Sequence, residues 1–266
     1  MAQCITIWSV SLQECLDISL LAQYEGLLSQ DERKRWTQFM FEKDRHCYLV
    51  SRALLRTVLA NILAVHPSEV CFGKSSKGKP FLTHPKGGEL SFNLTHCEDM
   101  VLLAVANRGQ IGIDVEPSTR SAPLDIAYQY FAEHEVRSLK ACAPKLRDEY
   151  FFALWTLKES YVKATGQGLS TPLHSFGFSF DRAKEIVLSG DSAWSVNPNN
   201  WCFTQWRASP THIAALCIER ANQAIYPALC FHRSIPLVCD DIFTPLLERT
   251  SPNYPVELLL PTCREV

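Results

Sequence analysis

The sequence contains no C-x-x-C pair, although 11 cysteines are spread along its 266 residues. Cysteines at that spacing commonly mark a zinc site, so their absence argues against zinc. The odd number and the scattered positions do not fit the disulfide framework of a small secreted protein. We therefore expect reduced thiols that mostly act as small buried hydrophobic groups, in a cytoplasmic protein.

The chain also has no excess of basic charge and no long apolar run. Lysine and arginine number 26 against 28 aspartates and glutamates, giving a formal net charge of −2. That balance argues against a nucleic-acid partner, which usually meets a basic surface, but it permits local basic pockets. The N-terminus lacks the basic region and cleavage site of a signal peptide, and no segment predicts a membrane span. We expect neither a nucleic acid nor a membrane as partner.

The apolar residues alternate between helical and strand-like spacing, which indicates a mixed α/β fold. Hydrophobic residues make up 47% of the chain, enough for a core of useful size. The predicted helices cover residues 29–63, 124–139 and 147–165. The predicted strands begin near Ile5 and continue at residues 91–96, 100–106, 110–117, 176–180, 201–207 and 212–218.

A break rich in proline and polar residues lies between Pro117 and Pro123. It predicts an N-terminal α/β half at 1–118, a C-terminal α/β half at 119–225, and a tail at 226–266 with no assigned role.

Two carboxylates stand two residues apart in the predicted strand at 110–117. Side chains alternate faces along a strand, so Asp114 and Glu116 point the same way. Such a pair repels unless a cation lies between the two groups or one of them is protonated. The alternative is a strand end that simply leaves the core, with both charges in solvent.

A second cluster lies on the predicted helix at 147–165. Trp155, Glu159 and Lys163 are each four residues apart and therefore share one face. A surface Glu–Lys pair is the simplest explanation. Tryptophan is a poor choice for a solvent-exposed position, however. The core-facing side of the helix is already supplied by a separate apolar stripe, formed by Phe151, Leu154, Leu157 and Tyr161. The face is thus a candidate site.

Two shorter motifs offer groups that can bind phosphate. Lys79 lies between glycine and proline in GKPF, where a stiff turn would present its ammonium as a point charge. Thr95 and His96 end the strand-like run FNLTH, and both side chains can donate to phosphate oxygens. Each motif alone is equally compatible with an ordinary turn and a structural histidine.

The blocks GKP, FNLTH, IGIDVE and WTLKESYVKATGQGL follow one another in this order. This ordered set is similar to the motifs of the Sfp-type 4′-phosphopantetheinyl transferases, and the resemblance covers roughly residues 29–220. It implies two similar α/β halves packed as a pseudo-dimer with the active site in the cleft between them. It also implies transfer of the 4′-phosphopantetheine arm from coenzyme A to a serine of an apo-carrier protein, with release of 3′,5′-ADP.

The resemblance also implies roles for individual residues. The carboxylates that would hold Mg²⁺ are Asp114, Glu116 and Glu159. Lys163 would lie near the coenzyme A phosphates, with Glu159 or a water that it orients as the base. The residues that would contact coenzyme A are Arg35, Lys79, Thr95 and His96. Arg35 would lie near the 3′-phosphate, whereas a basic position of some relatives falls on Glu32 here.

Three further expectations follow. The carrier protein would dock near Phe131 and the segment 118–135. A magnesium-dependent phosphohydrolase acting on a coenzyme A-like substrate would use the same carboxylates without a carrier. A non-catalytic protein that binds coenzyme A or the carrier is the third possibility, and the intact set of acidic residues and Lys163 argues against it.

Overall fold

The computed structural model describes residues 3–259, except 87, 169–170, 182–184, 192–193, 195, 221 and 223–225. The helices of this part of the chain are α1 Ile18–Leu27, α2 Gln30–Thr37, α3 Glu42–Leu63, α4 Leu124–Tyr130, α5 Glu133–Ala141 and α6 Pro144–Thr165. None of them has the length and apolar content needed to cross a membrane.

The strands are β1 Cys4–Ser11, β2 Cys71–Lys74, β3 Pro80–His84, β4 Ser91–His96, β5 Met100–Ala106, β6 Ile111–Pro117, β7 Phe176–Phe180, β8 Ile186–Gly190, β9 Trp201–Ser209, β10 His212–Glu219, β11 Ala228–Ile235, β12 Cys239–Phe243 and β13 Leu246–Thr250. A five-stranded sheet has the order β12-β11-β1-β5-β4, and a four-stranded sheet has the order β13-β9-β10-β6. The pairs β2-β3 and β7-β8 form two small hairpins.

The fold is therefore mixed α/β with two halves, as the sequence predicted. Three groups of buried apolar side chains fill it. The first lies between α3 and one face of the five-stranded sheet, and the second between α6 and the four-stranded sheet. The third joins the remaining faces of the two sheets, with Ile5 and Ile7 of β1 packed among side chains of β6 and β10. This third group holds the two halves together.

The segment predicted as a tail contributes strands to both sheets. β11 pairs in parallel with β1, and β13 pairs with β9. Likewise β6, from the predicted first half, pairs with β10 of the predicted second half. The last seven residues of the predicted tail, 260–266, lie outside the described residues.

Two predicted helices are each divided in the structure. The segment 29–63 forms α2 and α3, since only α3 has an apolar face and α2 has no buried residue. The segment 124–139 forms α4 and α5. Between them Phe131 takes an extended conformation and stacks on Phe151 of α6, with 5.6 Å between ring centroids. Tertiary packing of one aromatic ring thus overrides the local helical spacing.

Helix α6 lies unusually close to strand β6. A Cβ atom added to Gly112 would lie 2.0 Å from the carbonyl oxygen of Ser160 and 2.4 Å from the amide nitrogen of Ala164. Only glycine permits this approach, because any side chain would occupy the space of the helix backbone. The contact sets the distance between the carboxylates of β6 and the polar face of α6.

Candidate active site

The two acidic residues of β6 point the same way, as the strand alternation predicted, and both contact α6. Asp114 and Glu116 share one face, and the intervening Val115 is buried in the core between the sheets. On α6, Trp155 donates from Nε1 to Glu116 Oε1 at 3.1 Å, and Lys163 lies 2.6 Å from Asp114 Oδ1. Two residues eight apart on the helix therefore meet two residues that are two apart on the strand.

Thr95 joins the third motif to this cluster. Its hydroxyl accepts a hydrogen bond from Lys163 Nζ at 3.0 Å and donates one to Asp114 Oδ1 at 3.2 Å. Strand β4 supplies this contact because β4 and β6 lie side by side at the junction of the two sheets. The motifs FNLTH, IGIDVE and WTLKESYVK, separate in the sequence, thus meet at one point.

The three carboxyl groups each have a raised pKa, and burial is the main cause in every case. Asp114 is only 5% exposed, and the charge of Lys163 partly offsets its desolvation. The negative charge of Asp114 is the second cause that raises the pKa of Glu116 and of Glu159. The groups repel one another in a medium that solvates them poorly, an arrangement that favours an added cation.

The donor set fits a hard divalent cation. Among the described residues, no group donates a hydrogen bond to Oδ2 of Asp114, although this oxygen is buried. A buried carboxylate oxygen without a partner is costly in an apoprotein, and a metal ion would satisfy it. Oxygen ligands in small number, with room for water and phosphate oxygens, suit Mg²⁺.

Two cationic side chains already neutralise part of this charge. Lys163 pairs with Asp114, and Arg120 lies 2.6 Å from Glu116 Oε2. The Arg120 guanidinium also lies over the ring of Phe152, 4.9 Å from its centroid. Arg120 was not predicted from the sequence, and its position four residues after Glu116 was the available signal.

Arg35 and His96 line one cavity of about 400 Å³, together with Phe39, Lys43, Asp44, Cys47, Tyr48, Cys97 and Glu98. The charge of Lys163 acts on His96, so the cavity adjoins the acidic cluster. Burial, and then the charge of Lys163, lower the pKa of His96. The structure thus brings Arg35 of α2 and His96 of β4 to one cavity.

Glu32 has a structural role that explains its acidic character. Its carboxylate accepts from the backbone N–H of Ser29 at 2.9 Å, from Arg52 Nε at 2.7 Å and from Arg56 Nε at 2.7 Å. The group caps α2 and joins it to α3. A basic residue at this position would face two arginines.

Lys79 binds backbone carbonyls instead of joining the acidic cluster. Its ammonium donates to the carbonyl oxygens of Ile111 at 3.1 Å and Ala164 at 2.7 Å, at the start of β6 and the end of α6. Burial lowers its pKa to about 8. A second cavity, of about 360 Å³, lies beside it and is lined in part by Pro80, Phe81 and Gly166.

A buried ion pair next to the site was also missed from the sequence. Lys158 Nζ lies 2.8 Å from Glu135 Oε2, and both side chains are 0% exposed. Lys158 also donates to the carbonyls of Leu173 and Phe176. The available signal was its spacing, because Lys158 falls four residues after Leu154 within the apolar stripe of α6.

Two protein families match consecutive parts of this chain. The family described as the 4′-phosphopantetheinyl transferase superfamily matches residues 110–217, and the family described as 4′-phosphopantetheinyl transferase, N-terminal, matches residues 17–108. The chain is 32% identical over 195 residues to the 4′-phosphopantetheinyl transferase HetI of Nostoc sp. strain PCC 7120, covering 72% of this chain and 81% of the relative.

Two relatives from Bacillus have similar percentages of sequence identity to this chain. Identity is 32% over 166 residues with the 4′-phosphopantetheinyl transferase Sfp of Bacillus subtilis strain 168, covering 62% of this chain and 72% of the relative. Identity is 31% over 245 residues with the 4′-phosphopantetheinyl transferase psf-1 of Bacillus pumilus, covering 90% and 98%. These matches establish that the chain belongs to the Sfp-type 4′-phosphopantetheinyl transferases.

Proposed function

We propose that this transferase moves the 4′-phosphopantetheine arm of coenzyme A onto a serine of an apo-carrier protein, with the reaction centred on the cluster between β6 and α6. The observation that supports this location best is the buried, unpartnered Oδ2 of Asp114 beside Lys163. A site with one unsatisfied anionic oxygen and an adjacent ammonium suits a cation and a diphosphate bound together.

Asp114, Glu116 and Glu159 are the residues that would hold Mg²⁺. When bound, Mg²⁺ supplies positive charge that offsets the negative charge of the diphosphate and of the leaving 3′,5′-ADP. With a divalent cation present, Asp114 no longer needs the Lys163 ammonium as its only charged partner. Lys163 is then available to donate to a phosphate oxygen.

Coenzyme A would extend from this cluster into the cavity lined by Arg35 and His96. Arg35 bears a planar guanidinium suited to the 3′-phosphate, and its Cζ lies 5.9 Å from the centroid of the Tyr48 ring. Thr95 and His96 are assigned to phosphate oxygens by their hydroxyl and imidazole donors. Lys79 keeps one N–H beyond the two that its ammonium gives to carbonyls, and we assign that donor to coenzyme A.

In the transfer step, the carrier serine oxygen forms a bond to the phosphorus that bears pantetheine. The bond from that phosphorus to the bridging oxygen of the diphosphate breaks, and 3′,5′-ADP leaves. The hydroxyl proton passes to Glu159 or to a water that Glu159 orients. Burial raises the pKa of Glu159 in the metal-free protein, whereas bound Mg²⁺ would lower its basicity, so a water that Glu159 orients is an equal route for the proton. Most of the catalysis in such transfers comes from positioning and electrostatics.

The carrier protein would approach the surface formed by α4. Phe131 itself is buried, stacked on Phe151 and Trp155, and therefore supports this surface from beneath. The exposed apolar side chains beside it are Ile126, Tyr128 and Tyr130. We assign carrier contacts to these three residues, and we place the reaction in the cytoplasm, where free thiols and coenzyme A coexist.

The test is incubation of the protein with coenzyme A, Mg²⁺ and a panel of apo-carrier proteins, followed by mass measurement of the intact carriers. We expect one phosphopantetheine arm per carrier, and no mass gain on carriers whose modified serine is replaced by alanine. Release of 3′,5′-ADP without gain of carrier mass would instead identify a phosphohydrolase. Absence of turnover with every carrier would favour a binding protein.

A further inference from the structure

A cysteine, an aspartate and a histidine meet outside the acidic cluster. Cys97 and Asp99 lie in the turn between β4 and β5, and His212 is the first residue of β10. One ligand atom of each side chain, the thiol sulfur, a carboxylate oxygen and a ring nitrogen, lies within 4.8 Å of the other two. Residues distant in the sequence thus converge with three different metal-binding groups.

His212 is oriented as a metal-binding histidine would be. The ring is 3% exposed, and its Nδ1 lies 2.7 Å from Ser209 Oγ. Its Nε2 lies 2.8 Å from Asp99 Oδ1, yet the two atoms are not aligned for a hydrogen bond, and Nε2 has no such partner within the described ranges. In ligating histidines a hydrogen-bond partner commonly holds the non-ligating ring nitrogen, and here the hydroxyls of Ser209 and Thr211 lie 2.7 and 3.1 Å from Nδ1.

The turn that bears the other two groups is held firmly. The backbone N–H of Cys97 donates to Met100 O at 2.9 Å, and that of Leu12 donates to Asp99 O at 2.9 Å. The thiol sulfur of Cys97 lies 3.8 Å from Asp99 Oδ1. Tetrahedral zinc with bonds of about 2.0–2.3 Å separates its ligand atoms by roughly 3.3–3.6 Å. The present separations are 2.8 Å for Nε2–Oδ1, 3.8 Å for Sγ–Oδ1 and at most 4.8 Å for the third pair, so changes of up to about 1.5 Å would form the site.

The chemistry of the three groups selects the metal. Thiolate and imidazole favour a borderline or soft divalent ion, whereas the three carboxylates of the acidic cluster favour Mg²⁺. The lack of closely spaced cysteine pairs argued against zinc, but that argument addresses only sites built from a local motif. Here the ligands come from two elements that the tertiary structure brings together.

We infer that Cys97, Asp99 and His212 bind one Zn²⁺ per chain. The exposed side of Asp99 leaves the fourth position to water, as in other zinc sites with three protein ligands. Bound zinc would join the β4–β5 turn to the start of β10. His96, which directly precedes Cys97, would then have a fixed position at the edge of the 400 Å³ cavity. Zinc binding by these three residues does not require that the protein catalyse the transfer reaction.

The first measurement is competition between the purified full-length chain and a chromophoric zinc chelator, with Mg²⁺ in excess. We expect one Zn²⁺ per chain. Cys97→Ser and Asp99→Asn should each weaken zinc affinity by roughly a hundredfold or more, since even second-shell changes commonly cost about 10- to 100-fold. Cys71→Ser is the matched control, because this thiol is exposed on β2. It should leave zinc affinity unchanged.

The second measurement uses Co²⁺ as a spectroscopic substitute for zinc. Wild-type protein should show a thiolate-to-cobalt charge-transfer band that Cys97→Ser lacks, and Zn²⁺ should abolish the band. Circular dichroism confirms that each variant is folded. An unchanged zinc affinity in Cys97→Ser, no thiolate band, or zinc binding that disappears in Asp114→Asn alone would overturn the inference.

Discussion

Lys163 and Asp114 form an ion pair at 2.6 Å in which the carboxylate is almost fully buried and the ammonium is partly exposed. The pair joins α6 to β6, and Thr95 completes it with a hydroxyl between the two. In the protein without metal, Lys163 is the charged partner that offsets the burial of Asp114.

We therefore expect Lys163→Met to lower the free energy of unfolding of the metal-free protein by about 1–3 kcal/mol, because it leaves the buried carboxylate without its charged donor. Lys163→Met combined with Asp114→Asn should recover part of that loss. Urea unfolding of both single variants and the double variant measures the coupling. Strictly additive losses would show that the pair contributes nothing in the metal-free state.

Glu159→Gln tests the raised pKa and the metal site together. Burial raises the pKa of Glu159, so the folded state holds its proton to a higher pH than the unfolded state. Stability from this group is therefore present at low pH and is lost as pH rises through the folded pKa. Without metal, Glu159→Gln should be more stable than wild type near pH 8, and the difference should shrink toward pH 4.

Added Mg²⁺ should raise the melting temperature of wild type and have little effect on Glu159→Gln. Transfer activity of the variant should fall roughly a hundredfold or more, at about 1.4 kcal/mol per decade. Thermal melts at two pH values with and without Mg²⁺ provide the test. A variant that Mg²⁺ stabilises as much as wild type would remove Glu159 from the ligand set.

Arg35→Ala should identify the group that binds the 3′-phosphate. A charge-assisted hydrogen bond contributes about 1.5–3 kcal/mol, so the KM for coenzyme A should rise roughly 10- to 150-fold. The kcat should change much less, because the 3′-phosphate is remote from the reacting phosphorus. With dephospho-coenzyme A the effect should be small.

Lys34→Ala is the matched control on the same helix, since Lys34 is exposed and its ammonium lies 3.8 Å from the nearby, exposed Asp31. It should leave both substrates unaffected. Equal losses of kcat/KM with coenzyme A and dephospho-coenzyme A in Arg35→Ala would show that Arg35 does not read the 3′-phosphate.

Gly112→Ala should separate β6 from α6. The added methyl group would overlap the backbone of Ser160 and Ala164, which cannot move without shifting the helix. Overpacking of this kind costs about 1–3 kcal/mol or more, and transfer should fall because Glu159 and Lys163 move with the helix.

Gly26→Ala in α1 is the control. Its added methyl meets no atom within 4 Å, so it should stabilise by about 0.5–1 kcal/mol. Urea unfolding compares the two, and equal stabilities would contradict the close approach.

Glu135→Gln and Lys158→Met should each lower the free energy of unfolding by about 3–5 kcal/mol, because either change leaves one buried charge unpaired. The double variant should lose less than the sum of the two. Denaturant unfolding of all four proteins gives the coupling energy. A coupling near zero would show that the carbonyls of Leu173 and Phe176 alone satisfy Lys158.

The sequence alone determined which residues could form the site. The period of two places Asp114 and Glu116 on one strand face, and the spacing of four places Glu159 and Lys163 on one helix face, because both patterns follow from local backbone geometry. The order of the motifs indicated the family. The mixed α/β character and most strands were likewise predictable from periodicity.

Tertiary structure alone decided how these faces meet. The close packing at Gly112, the ion pair between Lys163 and Asp114, and the position of Lys79 against two carbonyls depend on contacts between distant segments. The break at Phe131 and the strands of residues 228–250 have the same origin, since packing energies there exceed the weak local propensities. The convergence of Cys97 and Asp99 with His212 also has no local sequence pattern, because it depends on the pairing of β10 with β6 and on the packing of β6 beside β4 and β5.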